Sequence, residues 1–115
     1  MSRKQILVIG RQPLILQTVV RLINGNEEWE ATGTDDDEKA IELCHQQHFD
    51  LVLLGAGIDS FQEQKFIRIF TMQQPHIRII QHFGGGSGLL FNEITAALED
   101  NPAGMYNIIE NPFSN

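Results

Sequence analysis

Five groups of residues in this chain are of types that could do chemistry. Cys44, His45 and His48 stand close together, and thiolate and imidazole are both zinc ligands. Two histidines three apart make only half a site, however. Cys44 continues the apolar rhythm of Ala40 and Leu43, so the group reads as a buried thiol beside solvated histidines. Asp35, Asp36 and Asp37 present three carboxylates in a row, yet acids in a first helical turn are what the helix dipole favours, and no metal is needed to explain them. Asp50 and Asp59 flank the most apolar run, with Asp59 read as loop or cap chemistry before Ser60. Gly84, Gly85, Gly86, Ser87 and Gly88 form the one stretch able to cradle an anion, because backbone amides and a helix N-terminus would converge there. It matches no full phosphate motif, and a flexible connection is the reading that glycine clusters favour. His76 and His82 have no recognisable partner, and no Ser, His and acid arrangement is present, so no enzyme activity is expected.

These residues are positioned by alternating strands and helices. "QILVIG" (5 to 10), "EWEATGT" (28 to 34), "DLVLLG" (50 to 55) and "HIRIIQHF" (76 to 83) read as strands, the third being the most apolar. Pro13 opens a helix that ends near Asn24 and Gly25, with Leu16, Val19, Val20 and Ile23 on its apolar side. Asp35 with Glu38 predicts a capping box for a second helix, and Ser60 with Glu63 one for a third that Pro75 closes. "LLFNEITAALED" (89 to 100) predicts a fourth helix. Strand alternating with helix at this pace implies right-handed crossovers and a doubly wound α/β fold in a single domain, 1–115.

With 115 residues the chain can bury roughly two thirds of its unfolded surface. A single cysteine excludes an internal disulfide and fits a reducing compartment, so the cytoplasm is expected. "ILVI" is too short for a membrane span or signal core. A net charge of −7 with scattered Lys and Arg argues against nucleic-acid binding.

The chain resembles the receiver domain of bacterial two-component response regulators, a flavodoxin-like fold with five parallel strands in the order 2-1-3-4-5. "ILVIGRQPLIL" is similar to the family's first strand and helix, and "TDDDEKAIEL" to its second helix start. "FDLVLLGAG" is similar to its third strand, and "AGMYNIIENPF" to its fifth strand and Lys-Pro-Phe ending. The resemblance implies a pocket at the carboxyl ends of the strands, holding two magnesium-binding acids, a phospho-accepting Asp, a hydroxyl and a lysine. Laid onto this chain, the acid pair falls on Gly10 and Arg11, the acceptor on Gly55, the hydroxyl on Phe83 and the lysine on Asn111. None of these can do the family's chemistry: Gly55 has no nucleophile, and glycine and guanidinium cannot ligate magnesium. Asp50 lies about 16 Å from Gly55 at 3.3 Å per residue, on the opposite edge.

The resemblance therefore implies a pseudo-receiver: a phosphorylation-independent protein-interaction module in bacterial signalling, without cofactor or metal. The competing expectation is a sensor of a small anion, held by Arg11 and the loop 84–88. Only Ser114 and Asn115 follow "NPF", so in the preferred threading the family's last helix is missing. A bare apolar strip beside the first helix should then dock a second copy or another protein. In the rival threading residues 89 to 100 are that last helix, and "MYNIIENPF" is a tail.

Overall fold

The apolar runs pair as one parallel sheet in the computed structural model, which describes residues 3–82, 84 and 86–99. The strands are β1 (Lys4–Ile9), β2 (Trp29–Thr34), β3 (Leu51–Leu54) and β4 (Arg78–Gln81), in the order β2-β1-β3-β4. Helices α1 (Pro13–Asn24), α2 (Asp37–Gln46), α3 (Ser60–Gln73) and α4 (Ser87–Leu98) alternate with them. The expected order is thus present for four strands, each within two or so residues of its sequence-derived bounds. The "AGMYNIIENPF" stretch expected to supply a fifth strand lies outside the described residues.

β3 is buried on both faces, and its side-chain alternation divides the interior in two. Val52 and Leu54, with Leu7 and Ile9, face the core that Ala40 and Cys44 of α2 and Phe66 and Phe70 of α3 complete. The two phenylalanine rings stack at 5.4 Å, one turn apart. Leu51 and Leu53, with Ile6 and Val8, face the opposite core, closed by Ile23 of α1 and by Leu90 and Ile94 of α4. Burying a side chain of this size contributes about 1.5–3 kcal/mol, so the two cores supply the main driving force for the fold.

Both expected caps shift by one residue, and only the one at α3 is a reciprocal box. Asp36, not Asp35, caps α2, its carboxylate accepting from the amides of Glu38 and Lys39. Asp59, not Ser60, caps α3 in a reciprocal box with Gln62. In each case the aspartate one residue off the expected position has the extended backbone that aims its carboxylate at the amides ahead.

The larger correction concerns the face beside α1. α4 lies on that face, with its Phe91 ring 5.3 Å from the ring of Trp29 at the start of β2. The strip that the preferred threading leaves bare is therefore covered by residues 87–98, as the rival threading has it, and no helix is missing from this face. The physical reason is that a parallel sheet needs cover on both sides. Gly84, at φ 116°, gives the chain leaving β4 a backbone turn that other residues rarely adopt. α4 also begins two residues before the expected position 89, taking Ser87 and Gly88 into its first turn with Gly86 as cap.

Candidate functional site at the carboxyl edge of the sheet

Parallel strands bring their carboxyl ends to one edge, where ligands of such sheets sit. Gly10 follows β1 there and its amide donates to the Thr34 carbonyl at 3.2 Å. Gly55 follows β3 and its amide donates to the Ile9 carbonyl at 2.8 Å. A Cβ on Gly55 would stand 3.3 Å from that same oxygen, so the backbones run close here.

Arg11 is the one charged residue of the expected pocket, and its guanidinium turns toward α2. Nη1 lies 2.7 Å from Asp37 Oδ1 and donates to the Asp35 carbonyl at 3.2 Å. The contact with Asp37 is an ion pair by distance but lies off the line of a hydrogen bond, leaving Arg11 Nη2 and Asp37 Oδ1 buried without a hydrogen-bond partner. Gly57, at φ 94°, closes over the arginine stem, where a Cβ would come within 3.0 Å of Arg11 Cβ and Cγ. The fold family's magnesium does not fit these residues: Gly10 has no side chain, Arg11 brings a cation, and that cation already engages Asp37. Among the described residues, no three His, Cys, Asp or Glu side chains gather as a metal site.

Gly10, Arg11, Gly55, Gly84 and Gly86 all line one pocket of about 350 Å³, so the structure brings these expected residues together. Ser87 and Gly88 do not join them, lying in α4 beside Asn26 and Trp29. Phe83, Gly85 and Asn111 lie outside the described residues. The pocket walls are apolar, chiefly Val8, Leu16, Val19, Leu53 and Leu90, and Arg11 is the sole cation among the described lining residues. Of the expected anion cradle, Arg11 lines this pocket with Gly84 and Gly86, while its Nη1 engages Asp37.

The remaining candidates take structural places. Burial pushes the Cys44 thiol up to about 11, which makes it inert at neutral pH. His48 sits 3.0 Å from Asp50 Oδ1 and has no zinc partner among the described residues. Asp50 holds the far edge of the sheet: its Oδ2 accepts from the Gln5 amide at 2.8 Å. Burial alone would raise its pKa, but the Gln5 amide, His48 and Lys4 outweigh burial and hold the carboxyl below the usual range.

A pair that the sequence does not reveal joins β4 to α4. His82 is buried, and its Nδ1 lies 2.5 Å from Glu93 Oε1. The residues stand eleven apart across a glycine loop, a separation that no local pattern marks.

Against solved structures, the chain is similar to a receiver domain protein of Methanospirillum hungatei, at 17% identity and TM-score 0.63, over 86% of this chain and 78% of that one. It is similar to a response regulator of Burkholderia pseudomallei carrying a phosphorylated aspartic acid, calcium and citrate, at 17% identity and TM-score 0.67, over 85% and 68%. The signal receiver domain of an HD domain-containing protein of Pseudomonas fluorescens gives 18% identity and TM-score 0.58, over 85% and 88%. The fold is that of receiver domains. It is flavodoxin-like, with four strands and four helices among the described residues. No protein-family model matches the sequence, and no curated protein matches it significantly.

Proposed function

We propose that this chain is a pseudo-receiver, a non-enzymatic protein-interaction module that works in bacterial signalling without phosphorylation. The observation that carries the proposal is the Arg11 to Asp37 contact at the carboxyl edge, at the place where the receiver pattern has metal-binding acids. Gly55 stands at the acceptor position of that pattern and offers no atom to attack a phosphoryl group. The Burkholderia neighbour carries a phosphorylated aspartic acid and a calcium ion; neither Gly55 nor Arg11 can reproduce those contacts. Phe83, which stands after β4 where the pattern has a hydroxyl, extends the proposal to a further position of the pocket.

The module acts by docking. Leu14, Ile15 and Leu22 of α1 are exposed, and Phe91 of α4, which lines one groove with Leu22, adds to this apolar surface. The partner is a second copy of this chain: the α1 sequence PLILQTVVRLIN has one charge, so two such surfaces meet without repulsion. The expected location is the cytoplasm; no helix among the described residues is long and apolar enough to cross a membrane.

Incubation with acetyl phosphate and magnesium tests the proposal by intact mass. No mass change is expected in the wild type or in Gly55→Asp, since the variant regains a nucleophile but no metal site. One added phosphoryl group on the wild type would overturn it.

A further inference from the structure

We propose that the pocket on the α1 face is a binding site for a small, neutral, mostly apolar molecule carrying one hydrogen-bond donor, which His82 receives. The inference does not rest on the missing phospho-acceptor, and its rim of Leu14, Ile15 and Leu22 is shared with the surface proposed to dock a second copy. At about 350 Å³ the cavity is of the size that takes small ligands, and it opens at the sheet edge where parallel folds place them. Val8, Leu16, Val19, Leu53 and Leu90 supply the apolar wall. The charge of the ligand follows from what surrounds it: Arg11 is the sole lining cation among the described residues, and Asp37 already engages it. A net charge of −7 further disfavours an anion.

His82 sets the polar end. A carboxylate only accepts, so the His82 tautomer that suits Glu93 carries its proton on Nδ1, and that tautomer presents Nε2 as an acceptor. His82 lines the pocket, and its Nε2 has no hydrogen-bond partner among the described residues. A hydroxyl or phenol in the cavity would meet this nitrogen while its apolar body lies against the leucine and valine wall.

Two probes of one shape test this on the full chain: 1-naphthol, and 1-methylnaphthalene, which replaces the hydroxyl by a methyl. Methyl chemical shifts of Val8, Leu16, Val19, Leu53 and Leu90 are the readout. Both probes should move these signals, with 1-naphthol binding about fivefold tighter, the value of one ordinary hydrogen bond. The methyl compound is the more apolar, so a preference for the hydroxyl requires an acceptor in the site. His82→Phe should abolish the preference while retaining binding, and Val19→Phe, which fills the cavity from α1, should abolish binding of both. The wild-type comparison stands alone if a variant fails to fold. Absence of shifts, shifts confined to other methyls, or tighter binding of 1-methylnaphthalene would overturn the proposal.

Discussion

Asp50 and Cys44 illustrate how residues with chemical side chains are used here for structure. Asp50 receives the Gln5 amide and faces His48 at the opposite edge from the pocket. Asp50→Ala should cost about 1–3 kcal/mol in urea unfolding, the penalty for leaving a partly buried donor unmade. Its folded pKa is depressed, so its contribution is complete above the ordinary aspartate value of about 4 and is lost as the pH falls below it. The stability gap between wild type and variant should therefore narrow as the pH falls below about 4. Cys44 has the opposite sign. Its thiol is pushed from 9.0 to about 11, so above pH 9 the unfolded chain loses a proton that the folded one keeps. Stability should fall by up to about 1.4 kcal/mol per pH unit in that window, and Cys44→Ala should remove this slope. Iodoacetamide should label Cys44 only after denaturation.

At the scale of elements, close approach of α1 to the sheet depends on Gly33 in β2. A Cβ there would stand 2.7 Å from Val20 Cγ2 and 3.2 Å from Leu16 Cδ1. Valine in a helix has essentially one rotamer, so it cannot swing aside. Gly33→Ala should cost about 1–3 kcal/mol in chemical denaturation, and adding Val20→Ala should recover part of that loss. The elements themselves were legible because a strand buried on both faces is an unbroken apolar run, as in "DLVLLG", and because Pro13 and Pro75 bracket helices. The place of α4 was not. A glycine loop leaves its direction open, and only the packing of Leu90, Ile94 and Phe91 against the α1 face decides it. The cap of α2 was equally hidden, since three consecutive aspartates offer the same side chain and only backbone angles select Asp36. The replacements at Gly10, Arg11 and Gly55 were legible through spacing. The turn of Arg11 toward Asp37 and the pairing of His82 with Glu93 depend on tertiary approach, which spacing does not encode.

For the whole molecule, the question is what the exposed apolar surface does. α4 covers the inner part of the α1 face, yet Leu14 remains 78% exposed and Ile15 50%. Leaving them in water forgoes burial worth about 25 cal/mol per Å². Two copies joined through this surface would recover it. A stable dimer needs about 800 Å² from each partner, and α1 with the outer side of α4 must supply most of that. Light scattering at micromolar concentration should give twice the monomer mass. Leu14→Glu should halve it without lowering the melting temperature of the monomer, because an exposed position makes no core contact and two glutamates would face each other across the symmetry axis. High salt separates the causes: it should strengthen an apolar wild-type dimer by screening the net charge of −7 between copies. A monomer at every concentration and salt level would remove the second copy as the partner and leave the face to a different protein.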